Sequence, residues 1–176
     1  MAKLGLTIDD TRSQWREYTE SNREAWKALG FRMLTGQVHD DDRALILAEM
    51  EVRKWQRLAS VAEDKDTSIK TLSQISLRNV NKVMNPDERK DVKTEAEKST
   101  AKREILHFLS EGQHCLHKHT GIRSNYDAEA PSDKRIRLEA RYIAYANLSS
   151  AYFKLAKVRL EHAEKTSVFG LRGEDL

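Results

Sequence analysis

Side chains capable of chemistry concentrate in the stretch His107-Phe108-Leu109-Ser110-Glu111-Gly112-Gln113-His114-Cys115-Leu116-His117-Lys118-His119, which holds four of the six histidines and the only cysteine. On a helix His107, His114 and His117 share a face, because their spacings are close to whole turns. Glu104-x-x-His107 and Glu111-x-x-His114 repeat the spacing by which ferritin-like bundles hold a metal pair. Such a site takes the motif from two different helices. Here both copies lie on one helix, separated by about 10 Å of axial rise, too far to share one metal pair. A zinc site would instead start from Cys115 and His119, one turn apart, and would need further ligands from elsewhere. His39 and His162 are the remaining histidines. The competing reading is a histidine-rich helix end, in which imidazoles bond the last carbonyls and add favourable charge. The sequence therefore leads us to expect no cofactor, with His107, His114, Cys115, His117 and His119 as the metal candidates.

A second group is basic. Lys134, Arg135, Arg137 and Arg141 precede Lys154, Lys157 and Arg159, with Tyr142 and Tyr145 between them. Such a face suits an acidic protein surface, or phosphates with bases stacked on the tyrosines. Glu139 and Glu161 interrupt it, and the net charge of the chain is only +3. A nucleic-acid binder usually concentrates more charge. The chain contains no glycine-rich phosphate loop, no Gly-x-Ser-x-Gly and no Cys-x-x-Cys, which leaves the common phosphate, hydrolase and redox motifs without a carrier.

The elements that must position these groups are helical. Seven glycines and two prolines in 176 residues are too few for the many turns of a β fold. Thr7 and Asp10 form a capping-box variant, and Trp15, Tyr18, Ala25, Trp26 and Leu29 follow at helical spacing. Gly30 and Gly36 predict an end or bend. A second helix starts at Asp40-Asp41-Asp42, carries Leu45, Ala48, Val52, Trp55, Ala59 and Ala62, and stops at Glu63-Asp64-Lys65-Asp66. A third is predicted from Thr67 or Ser68, carrying Ile69, Leu72, Ser76, Val80 and Val83.

Asn85-Pro86-Asp87-Glu88 starts the fourth, since asparagine caps and proline suits the first helical position. Its front, Glu88 through Arg103, has Val92 as its only large aliphatic, so it either projects as an arm or packs on a partner through small residues. The helix turns apolar at Ile105 and is expected to end near Gly121. After a loop, 121–131, Ser132 or Asp133 caps a last helix striped by Ile136, Ala140, Ile143, Ala144, Asn147, Leu148, Ala151, Leu155 and Val158. The tail from Ser167 reads as non-helical, with Phe169 and Leu171 available for docking.

These elements predict an all-α bundle of about five helices whose charged fourth helix is free to protrude. Residues 1–120 would supply about four helices. Residues 121–166 would add the loop and the long helix on the same core, followed by the tail 167–176.

Hydrophobic residues make up 39% and charged residues 34% of the chain, so the core is expected to be thin. A lone cysteine excludes an intrachain disulfide and suits a reducing compartment. No stretch is apolar enough for a signal peptide or a membrane span. The expected address is the cytoplasm, without membrane contact. The expected function is a non-enzymatic helical interaction protein: a scaffold, assembly factor, adaptor or inhibitor. It would be homo-oligomeric and would meet an acidic partner through Lys134, Arg135, Arg137, Arg141, Phe169 and Leu171. Small assembly factors, including those that shape viral particles, share this build. The alternatives are nucleic-acid binding by the basic last helix, and metal binding by the histidine-rich one.

Overall fold

The computed structural model describes residues 40–174, with side chains described from 42 to 165. The expected first helix and the glycine bend after it lie outside these residues. Five helices follow in order: α1 Asp40–Glu63, α2 Ile69–Ser76, α3 Pro86–Ala96, α4 Lys102–Ser124 and α5 Ser132–Glu174. No strand occurs among the described residues, and the fold is all-α as expected.

Helix α5 is the axis of the molecule, and it alone packs against all four others. From Ile143 to Phe153 every residue except Ser150 is buried, so the helix is enclosed all round rather than along one stripe. Gln56 Nε2 donates to Tyr152 Oη at 2.6 Å, and Glu63 pairs with Arg141. These contacts set α1 antiparallel to α5. Its inward residues Ala48, Val52, Trp55, Leu58, Ala59 and Ala62 join Leu72 and Ile75 of α2 on one side of α5. Helix α4 is also antiparallel to α5, and Val92 and Ala96 of α3 join Ile105 against Ala156, Leu160 and Ala163.

Two boundaries differ from the sequence reading. Helix α2 is capped by Ser68, whose side chain accepts from the Thr71 N–H, but it stops at Ser76 and does not carry Val80 or Val83. The chain instead runs along α5, where the Asn147 amide holds it. Asn81 N donates to Asn147 Oδ1 at 2.6 Å, and Asn147 Nδ2 donates to Asn79 O at 3.1 Å. Ser150 Oγ donates to Lys82 O at 3.0 Å. Side chains of α5 thus supply the partners that another turn of α2 would have supplied.

Secondly, the charged fourth helix is divided. Asn85 caps α3 by accepting from Glu88 N at 2.8 Å. After Ala96, tight bonds from Lys98 N to Glu95 O and from Ser99 N to Ala96 O close a turn, and Ser99 Oγ accepts from Ala101 N. The reversal lays α3 beside α4 and buries the small residues Ala96 and Ala101 with Val92 on α5.

Helix α4 passes Gly121 and ends at Ser124. The α5 backbone is helical through Glu174, so the expected non-helical tail is corrected. Two glycines cost about 1 kcal/mol each in a helix, too little to force an end where no proline follows. The side chains of Phe169 and Leu171 lie outside the described residues.

Helix α4 approaches α5 closely at Gly112. A Cβ there would stand 2.6 Å from Phe153 Cε1, and Ser149 Oγ donates to Gly112 O at 2.7 Å. Gly112→Ala should therefore lower stability by about 1–3 kcal/mol through overpacking, although alanine is the better helix former by roughly 1 kcal/mol. Urea denaturation reads the loss, and adding Phe153→Leu should recover part of it. A Gly112→Ala protein as stable as the parent would contradict the close approach.

Candidate functional site

The histidine segment lies on α4 with its candidates divided between core and solvent. His107, His114 and His117 are exposed, whereas Cys115 is buried. His119 Nδ1 lies 2.8 Å from Tyr142 O. Among the described residues no group of three or more His, Cys, Asp and Glu side chains is placed to hold a metal. One turn of helix separates Cys115 from His119 as the spacing suggested, but packing directs the thiol into the core. Burial, helped by Glu111, pushes that thiol up to about 11.

The basic residues of α5 are also divided. Arg141 Nε sits 2.9 Å from Glu63 of α1, Lys157 Nζ 2.8 Å from Glu88 of α3, and Arg159 Nε 2.9 Å from Glu104 of α4. Each of these cations ties a surrounding helix to the axis. The hydrogen bond and charge of Glu88 raise the Lys157 ammonium above its ordinary value. At the helix start, Arg135 Nη2 donates to Ser132 Oγ at 3.3 Å, while Lys134 is exposed and Arg137 half-buried. The tyrosines do not form a stacking platform. Tyr145 is buried, and Tyr142 stands edge-on to Tyr126 with ring centroids 5.9 Å apart. The Tyr126 hydroxyl donates to Glu139 at 2.7 Å.

The structure assembles a different constellation between α3 and α4. Here a groove of about 620 Å³ is lined by Pro86, Arg89, Lys90 and Lys93 on one wall, by Leu106, Leu109, Ser110 and Gln113 on the other, and by Phe153 at its floor. Three of these residues are cations and none is a carboxylate. Arg89 lies over the Phe153 ring, 5.0 Å from its centroid, and donates through Nη1 to Gln113 Oε1 at 2.5 Å. Its Nε is shielded from solvent and has no hydrogen-bond partner. Glu88 is held by Lys157 and Glu97 by Lys102, while the exposed Asp87, Asp91 and Glu95 of the same helix lie outside the lining.

A second hollow, about 760 Å³, lies between α1 and the strap that follows α2. Its lining includes Leu47, Met50, Glu51, Lys82, Lys154 and Val158. It mixes both signs of charge and selects no partner by electrostatics.

The sequence held part of the α3–α4 site. Arg89, Lys90 and Lys93 fall on one face of a helix whose start Asn85-Pro86 announces. Their position opposite Leu106 and Leu109 depends on the turn at 97–101, which no proline or glycine marks.

Two buried groups give a pH dependence. The folded Cys115 thiol titrates near about 11 against an ordinary 9.0, and burial next to Glu63 pushes Tyr145 to about 12 against 10.0. Between these limits the unfolded chain holds fewer protons than the folded one, so stability falls as the pH rises through that window. The denaturation midpoint should drop from pH 8 to pH 11, and by less in a Cys115→Ala, Tyr145→Phe protein. Equal drops in the two proteins would contradict this assignment. Across known proteins, no family model, curated protein or solved structure matches the chain.

Proposed function

We propose that this chain is a non-enzymatic helical interaction protein, of the scaffold, adaptor or assembly-factor kind, that holds an acidic protein partner in the groove between α3 and α4. The observation that carries this reading is the groove lining, in which Arg89, Lys90 and Lys93 stand over an apolar floor without an opposing carboxylate. Apolar area contributes affinity, and a positive rim selects an acidic partner and speeds encounter.

The same reading places the contact on α3 and α4 in preference to α5, where Lys134 is exposed but lies outside the apolar groove. Arg141, Lys157 and Arg159 are already engaged with Glu63, Glu88 and Glu104. That engagement also lessens the support for nucleic-acid binding along α5, because phosphates would compete with these carboxylates.

The test uses poly-L-glutamate, a disordered polyanion at neutral pH, titrated at low salt. Lys90→Glu with Lys93→Glu should weaken binding by about tenfold or more, as expected when close charges are reversed. Lys134→Glu with Arg137→Glu should leave it nearly unchanged. Equal losses from the two pairs would place the contact elsewhere. Tighter binding of duplex DNA than of polyglutamate, with a steep salt dependence, would replace the protein-partner reading with the nucleic-acid one.

A further inference from the structure

The walls of the α3–α4 groove restrict the shape of what it accepts. Both walls are helices, so their interior backbone N–H and C=O groups are already paired. Neither wall offers a sheet edge to which an extended peptide could add. Besides the cations, only Ser110 and Gln113 bring polar side chains to the lining. An extended segment would therefore leave water with most of its own backbone unsatisfied, at a cost of about 1–3 kcal/mol for each buried group. A helix carries its backbone bonds with it.

The dimensions agree with a helical occupant. From Pro86 to Lys93 on α3, and from Leu106 to Gln113 on α4, each wall spans about 10 Å, or two turns. A third helix lying between two others seats side chains at positions i, i+3, i+4 and i+7 over such a length. The groove divides the contacts by chemistry. Leu106 and Leu109, both half-buried, offer an apolar bed along α4 above the buried Phe153 ring, and Arg89, Lys90 and Lys93 line the α3 side.

Building on the acidic-partner reading, we infer that the occupant is an acidic amphipathic helix, with bulky apolar side chains against Leu106 and Leu109 and carboxylates facing Arg89, Lys90 and Lys93. Bound there, it completes a three-helix layer with α3 and α4. Arg89 is the central contact, because its guanidinium packs on the floor ring and meets a neutral glutamine rather than an acid. A carboxylate approaching its guanidinium would gain a charge-assisted bond.

The experiment compares two peptides of about 14 residues, long enough for four turns. One places Glu and Leu/Phe on opposite helical faces. The other has the same composition scrambled so that neither face forms. Both are titrated into the full chain by fluorescence anisotropy. The amphipathic peptide should bind about tenfold more tightly or better, gain helical circular dichroism on binding, and lose affinity against Lys90→Glu with Lys93→Glu. Leu109→Ser should weaken the amphipathic peptide far more than the scrambled one. Equal affinity for the two peptides would overturn the helical occupant while leaving an acidic partner in place. Absence of binding by either peptide, or binding indifferent to Lys90→Glu with Lys93→Glu, would overturn both the occupant and the reading beneath it.

Discussion

Enclosing one helix on every side is the constraint from which the rest of this fold follows. The surrounding helices must come close to α5, and close approach requires small side chains at the points of contact. Ala140, Ala144, Ala146 and Ala156 supply them on α5, and Gly112 supplies one from α4. Phe153 fills the space that Gly112 leaves open. Buried apolar residues of this size contribute roughly 1.5–3 kcal/mol each, so the thin composition still yields two clusters of core residues along α5.

Enclosure also sets the fate of the polar groups on α5. Asn147 and Ser149 are fully buried, and each is bonded to backbone of a neighbouring element. Asn147 holds the strap after α2, and Ser149 holds the carbonyl of Gly112. These bonds fix where the neighbours lie along α5 as well as satisfying the buried atoms. At the perimeter, Glu63, Glu88 and Glu104 are drawn to cations of α5. Exposed pairs of this kind contribute about 1 kcal/mol or less to stability. Their larger effect is on the surface field: they engage Arg141, Lys157 and Arg159 of the axis, whereas Arg89, Lys90 and Lys93 of α3 line an apolar groove that holds no carboxylate.

The helical class, the caps at Ser68 and Asn85 and the start of α1 were legible because each depends on residues within a turn of one another. Three other features were not. The small residues Ala146 and Ala156 carry no amphipathic signal, so α5 read as a helix with one apolar stripe when both faces are buried. The extended path of 77–85 depends on Asn147, more than sixty residues later in the chain. The histidine cluster was read correctly as sharing a helix, but its exposure and the inward direction of Cys115 follow from which face of α4 meets α5.

What the sequence determined by itself was therefore local: helix type, the capped starts, and the basic triad on one face of α3. Tertiary structure decided which cations remain available and which apolar side chains they stand beside. The physical reason is that an ion pair or a groove wall is set by distance in space. Lys157 is neutralised by a residue 69 positions away, while Arg89, Lys90 and Lys93 acquire an apolar floor only because the chain reverses at Ser99 and brings α4 alongside.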